Sequence, residues 1–195
     1  MSLKDKEKWD SKYIRKPELL LHRTPSINLV KFIKHCNGKK ALDLACGAGK
    51  NTIYLAENNF HVDAIDIASV AIDSLNKNLK TKNLSQLVTT KVMDLDDFSQ
   101  KDMKYNLVLM CNFLDRKLIE KAKKTLQIGG IFLVETYMVD TENEKIYSKK
   151  TNLLQKDELK QIFKDYEIII YYEYDNETFE IYDMKKQLII AKKIK

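Results

Sequence analysis

The chain has 195 residues, 44% apolar and 32% charged, which suits one globular domain with a sizeable core and excludes a disordered chain. No run reaches the roughly 18 apolar residues of a membrane span, and Met1–Lys8 has no apolar signal core, so a cytoplasmic protein without membrane contact is expected. Net charge is +6, yet only Arg15, Arg23 and Arg116 are arginines among 34 basic residues. Planar forks for phosphates and bases are scarce, so a nucleic-acid partner is not expected. Cys36, Cys46 and Cys111 show neither pairing nor metal spacing and read as reduced thiols, with no metal site.

Residues 1–37 read as a mostly helical segment punctuated by Pro17 and Pro25, with Ile27, Val30, Phe32 and Ile33 giving 26–36 an apolar face. A strand is expected over 40–45 and a helix over 50–59. A second strand follows at 61–66, then a helix at 68–81 whose Val70, Ile72, Leu75 and Leu79 form one face. Strands at 87–92 and 105–110 precede a helix at 116–126. Gly129-Gly130 then turn into a strand at 131–137. Residues 139–154 are polar and irregular, 156–163 helical, and 166–174 and 187–192 β, a candidate antiparallel pair. The alternation predicts an α/β fold with right-handed crossovers. The expected organisation is one domain, 1–195: an N-terminal helical segment over 1–37, then a core over 38–195 with an insert at 139–154.

The most informative stretch is Asp43-Leu44-Ala45-Cys46-Gly47-Ala48-Gly49-Lys50-Asn51, where a strand ends in an acid and a Gly-x-Gly turn opens a helix. Glycines there permit unusual φ and close approach of a ligand, and the helix behind offers free N–H groups. The third glycine of the dinucleotide fingerprint is replaced by Thr52. Asp43 would repel a phosphate but can help hold an ammonium group. S-adenosylmethionine, with its adenosine, sulfonium and amino-acid tail, fits better than a dinucleotide. Asp66 lies 17 positions after Gly49, near the roughly 20-residue spacing at which an acid reaches a ribose hydroxyl pair. Asp94, after the third strand, can accept from an adenine amino group. Cys46 and Cys111 both follow strands on this edge.

With Asp63–Ile67, Val92–Asp97, Tyr105–Phe113 and Gly129-Gly130, these motifs resemble the class I S-adenosylmethionine-dependent methyltransferases over roughly residues 25–195. The first motif is most similar to the tellurite-resistance methyltransferase type, with Ala45 where glycine is common and Lys50 where arginine is common. The resemblance implies a Rossmann-like, seven-stranded, mostly parallel sheet with helices on both faces and an antiparallel last strand. It also implies cofactor contacts from Asp43, Ala45, Cys46, Gly47, Gly49, Asn51, Asp66, Ile67, Asp94, Leu95 and Cys111. Trp9 and Tyr13 would belong to an aromatic N-terminal lid. Two segments are expected to face the methyl group: the N-terminal stretch with His22 and Arg23, and the insert with Tyr137 and Tyr147. His22 is a candidate base and Arg23 a candidate anion contact; Tyr137 completes the catalytic candidates. Cys111-Asn112-Phe113-Leu114 is not the Asn-Pro-Pro-Tyr tetrad of exocyclic-amine methyltransferases. A small-molecule acceptor is expected, a chalcogen oxyanion such as tellurite or a thiol. An RNA or protein methyltransferase and a non-catalytic cofactor-binding partner protein remain alternatives.

Overall fold

The computed structural model describes residues 3–21, 23–99, 102–141, 150–175 and 184–195. Its sheet is built from β1 (Lys40–Leu44), β2 (His61–Asp66), β3 (Val88–Val92), β4 (Tyr105–Cys111), β5 (Leu126–Tyr137), β6 (Glu167–Asp175) and β7 (Lys185–Lys192). The spatial order is β3-β2-β1-β4-β5-β7-β6. The contacts among β1 to β5 are parallel, whereas β7 runs antiparallel to both β5 and β6. This is the expected seven-stranded sheet with an antiparallel last strand.

Helices cover both faces because the central strands are apolar on both sides. Along β4, Val108 and Met110 join one buried cluster while Leu107 and Leu109 join the other, as the two-residue strand period requires. One face is sealed by α2 (Ile27–Phe32), α3 (Lys50–Glu57) and α4 (Ser69–Thr81), through residues such as Leu29, Ile53 and Leu75. The other is sealed by α5 (Arg116–Lys123) and α6 (Glu158–Ile162), through Leu118, Ile119 and Leu159. The N-terminal α1 (Leu3–Arg15) and a 3₁₀ turn at Pro17–Leu20 form a third, smaller cluster, in which Tyr13 and Leu19 pack on Ala68 and Ala71 of the α4 start.

Several boundaries differ from expectation. The helix expected over 26–36 is α for six residues and tightens to 3₁₀ at Ile33–His35. The helix expected to reach 126 stops at Lys123, and Leu126 already pairs with Tyr105. Gly129-Gly130 therefore lie inside β5 rather than before it. Gly129 takes φ +79° where the β4–β5 register shifts between Tyr105 and Leu107, so the glycine serves a bulge rather than a strand entry.

Candidate active site

The order of the sheet reverses between β1 and β4, and the crevice at the strands' carboxyl ends there is where open α/β sheets take ligands. A cavity of about 800 Å³ lies at this point. Its wall takes Asp43 to Asn51 from the β1–α3 turn, except Leu44, together with Asp66, Ile67, Leu95, Cys111, Thr136 and Tyr137. Trp9, Tyr13 and Arg23 close it from the N-terminal side.

The turn is left-handed at Ala45 (φ +57°), Gly47 (φ +55°) and Gly49 (φ +81°). For Ala45 that conformation carries about 1 kcal/mol of strain that a glycine would avoid. A Cβ on Gly49 would lie 2.3 Å from Leu75 of α4. Gly49 thus performs the helix-packing role that the dinucleotide fingerprint gives to its third glycine. Thr52, at that third position, is fully buried and donates from Oγ1 to Asp43 Oδ2 (2.6 Å). A Cβ on Gly47 would lie 2.9 Å from the Tyr13 hydroxyl, so glycine is what lets α1 approach the turn.

Two carboxylates flank the turn. Burial, with neighbouring Asp66 adding to it, pushes Asp43 up to about 7 against the Thr52 hydrogen bond. Asp66 accepts from Gly47 N at 2.8 Å and from Ala68 N at 2.9 Å, bracing the glycine turn from beneath β2. Burial raises its carboxyl despite these bonds. A carboxylate has about four acceptor positions, so the backbone bonds to Asp66 leave capacity for a hydroxyl donor. Burial likewise holds the Cys46 and Cys111 thiols well above the usual range, so both are neutral thiols in the wall. The Tyr13 hydroxyl is also raised by burial and stays protonated.

The structure brings together every described candidate except Asp94. The Asp94 side chain accepts from Asp96 N (2.9 Å), capping the turn at Leu95–Asp97, and does not line the cavity, whereas Leu95 does. Trp9 lies 6.3 Å from Tyr13 between ring centroids, and Lys12 Nζ stands 4.3 Å over the Trp9 ring. Tyr137 sits 4.9 Å from Lys186 Nζ. His22 and Tyr147 lie outside the described residues. Asn152 and Leu153, at the far end of the insert, reach the wall.

Behind the wall lies a buried polar node that local sequence patterns do not reveal. Ser26 N donates to Asn51 Oδ1 (2.9 Å), and Ser26 Oγ donates to Glu135 Oε2 (2.6 Å). Asn28 Nδ2 also donates to Glu135 Oε2 (2.9 Å), and Lys186 Nζ is 3.9 Å from Glu135 Oε1. Asn51 is thereby held by the segment entering α2, across sequence separations too long for any periodicity to show.

Strand order, switch point and glycine turn together define the class I S-adenosylmethionine-dependent methyltransferase fold. Residues 1–188 match the family described as "Tellurite resistance protein TehB", and the chain belongs to that family. A Haemophilus influenzae relative described as "Probable S-adenosyl-L-methionine-dependent methyltransferase TehB" is 27% identical over 154 residues, covering 75% of this chain and 51% of the relative. The chain thus spans about half the length of the curated relatives it matches. The crystal structure of TehB from Haemophilus influenzae superposes with a TM-score of 0.74 at 24% identity, covering 85% of this chain and 61% of that one. A methyltransferase structure from Methanosarcina mazei gives a TM-score of 0.70 at 20% identity, over 84% and 97% of the two chains.

Proposed function

We propose that this chain transfers the methyl group of S-adenosylmethionine to a small-molecule acceptor, a chalcogen oxyanion such as tellurite or a thiol. The observation that carries the reading is the pair Asp43 and Asp66, flanking a left-handed glycine turn on one cavity wall. Family membership and the name of the Haemophilus influenzae relative support it.

The residues present suit such a cofactor. Asp66 would accept the ribose hydroxyls while Gly47 N and Ala68 N hold its carboxylate still. Ile67 and Leu95 offer apolar surface to an adenine ring. Asp43, steadied by Thr52, would face the ammonium end near Gly47, Gly49 and Asn51. When bound, S-adenosylmethionine supplies a sulfonium methyl group that a lone pair on the acceptor displaces in line. Protein groups then contribute mainly position and exclusion of water. Soft nucleophiles need no proton acceptor, which fits a wall whose cysteines and Tyr13 are all held protonated. Lys8, Lys12, Arg23 and Lys50 share the wall with Asp5, Asp43, Asp66 and Asp115, and Arg23 and Tyr137 are the proposed contacts to an anionic acceptor. The cytoplasm, where the free thiols of Cys36, Cys46 and Cys111 persist, is the proposed location.

Calorimetric titration with S-adenosylhomocysteine is expected to give a one-to-one isotherm. NADH binding without S-adenosylhomocysteine binding would overturn the cofactor reading. Methyl transfer is then screened with tellurite, selenite, simple thiols, small carboxylates and bulk RNA. Turnover of RNA alone would overturn the acceptor reading.

A further inference from the structure

The first N–H groups of a helix have no partner within it, and a Ser, Thr, Asp or Asn at the N-cap normally supplies one. At the start of α4 that position is Ala68, which makes no side-chain cap. The cap comes instead from α1. Asp10 Oδ1 accepts from Val70 N at 3.0 Å, and its Oδ2 accepts from Ser69 Oγ at 2.9 Å. Lys6 Nζ ties the contact from the same helix, donating to Asp10 Oδ2 (2.8 Å) and to Ser69 Oγ (2.9 Å).

The position of this contact gives it a consequence for the cavity. Asp10 stands between Trp9 and Tyr13, the two α1 aromatics on the cavity wall. The capped helix begins three residues after Asp66, whose carboxylate accepts from Ala68 N. The Tyr13 hydroxyl lies close over Gly47. One carboxylate therefore joins the element above the cavity to the element that carries Asp66.

We propose that Asp10 is a positioning residue: by capping α4 in place of Ala68, it fastens α1 over the cavity and sets how long the cofactor remains bound. The proposal rests on the cofactor site described under Proposed function. Losing the cap frees α1 to lift, so release of the ligand accelerates while its entry does not slow.

Trp9 is the single tryptophan of the chain, so its fluorescence reports the position of α1 directly. Two variants of the full chain separate latch from simple helix cap. Asp10→Ala removes both functions. Asp10→Ala with Ala68→Ser restores a local cap, because Ala68 already has extended backbone (φ −81°, ψ 110°), but leaves α1 unfastened. In both variants acrylamide quenching of Trp9 is expected to rise about twofold, and S-adenosylhomocysteine to dissociate about fivefold faster, the scale of a lost N-cap. Quenching and dissociation unchanged by Asp10→Ala would overturn the proposal. So would their return to wild-type values on adding Ala68→Ser, since Asp10 would then serve α4 alone. If the wild-type chain binds no S-adenosylhomocysteine, the cofactor reading fails, and Trp9 quenching still decides whether Asp10 holds α1.

Discussion

Burial lifts the Asp43 carboxyl to about 7. With the folded-state value above that of the unfolded chain, the native state holds the extra proton between the two. Its contribution to stability is therefore full at low pH and is lost as pH rises through about 7. An ammonium group beside it reverses the preference by favouring the carboxylate. S-adenosylhomocysteine, whose amino-acid end carries an ammonium, is expected to bind more tightly as pH rises towards 7 and to displace a proton below it. Calorimetry at pH 6 and pH 8, in buffers of different ionisation enthalpy, should show proton release at the lower pH only. Asp43→Asn should abolish the difference. Asp66→Ala is expected to weaken binding at least about tenfold, the loss of charge-assisted hydrogen bonds to two hydroxyls; an unchanged dissociation constant would place the ribose elsewhere. Asp43, Gly47, Gly49 and Asp66 were legible in the sequence because a strand, its terminal acid and a glycine turn are all local. Thr52 beneath Asp43 was visible only as a missing glycine. Asp10 and Glu135 act on residues roughly 60 and 109 positions away, and no local pattern encodes such a meeting.

At the far end of the insert, where Leu154 is bridged to Met138 and buried in the core, one arginine adds a fork of hydrogen bonds. Arg116, the first residue of α5, donates through Nε and Nη2 to the two carboxylate oxygens of Glu158 (2.5 and 3.0 Å). It also donates to the carbonyls of Thr151 (2.7 Å) and Leu153 (3.0 Å). Asp115 caps the same helix by accepting from Leu118 N (2.9 Å). Lysine cannot reproduce this fork. Arg116→Lys should therefore cost about 1 kcal/mol, a partly exposed ion pair being worth little beyond its geometry, and lower the melting temperature by about 2–4 °C. Proteolysis between residues 138 and 158 should quicken in the same variant, because the Thr151 and Leu153 carbonyls lose their donor. Melting and cleavage equal to wild type would show the fork to be dispensable. At this scale the order and type of the elements followed from hydrophobic period, since strands apolar on both sides demand helices on both faces. The ends did not follow. Gly129-Gly130 reads as a turn, and only pairing with β4 makes it a bulge in a longer strand.

Among the described residues, both large apolar clusters, one on each face of the sheet, contain none before Leu29. The described residues among 3–24 meet the rest of the molecule at the smaller cluster of Tyr13 and Leu19 on Ala68 and Ala71, at the Asp10 cap, and where Ser74 Oγ donates to the Leu20 carbonyl. Removing residues 1–24 should thus leave a cooperatively unfolding core. Its stability should fall by the loss of one N-cap, about 1 kcal/mol, and by the exposure of two alanines. The consequence for ligand binding should be larger than that for folding. In the full chain, S-adenosylhomocysteine at 100 times its dissociation constant should stabilise the native state by about 2.7 kcal/mol, raising the melting temperature by about 5–10 °C. At the same ligand concentration the shortened chain should show a markedly smaller rise, because Trp9, Tyr13 and Arg23 no longer close the cavity. Thermal melts of both chains, with and without ligand, make the comparison. An equal rise would mean that the β1–α3 turn and Asp66 hold the cofactor unaided, and that the N-terminal helix acts on the acceptor instead. A core that no longer unfolds cooperatively would show that the smaller cluster is part of the folding unit rather than a cover laid over it.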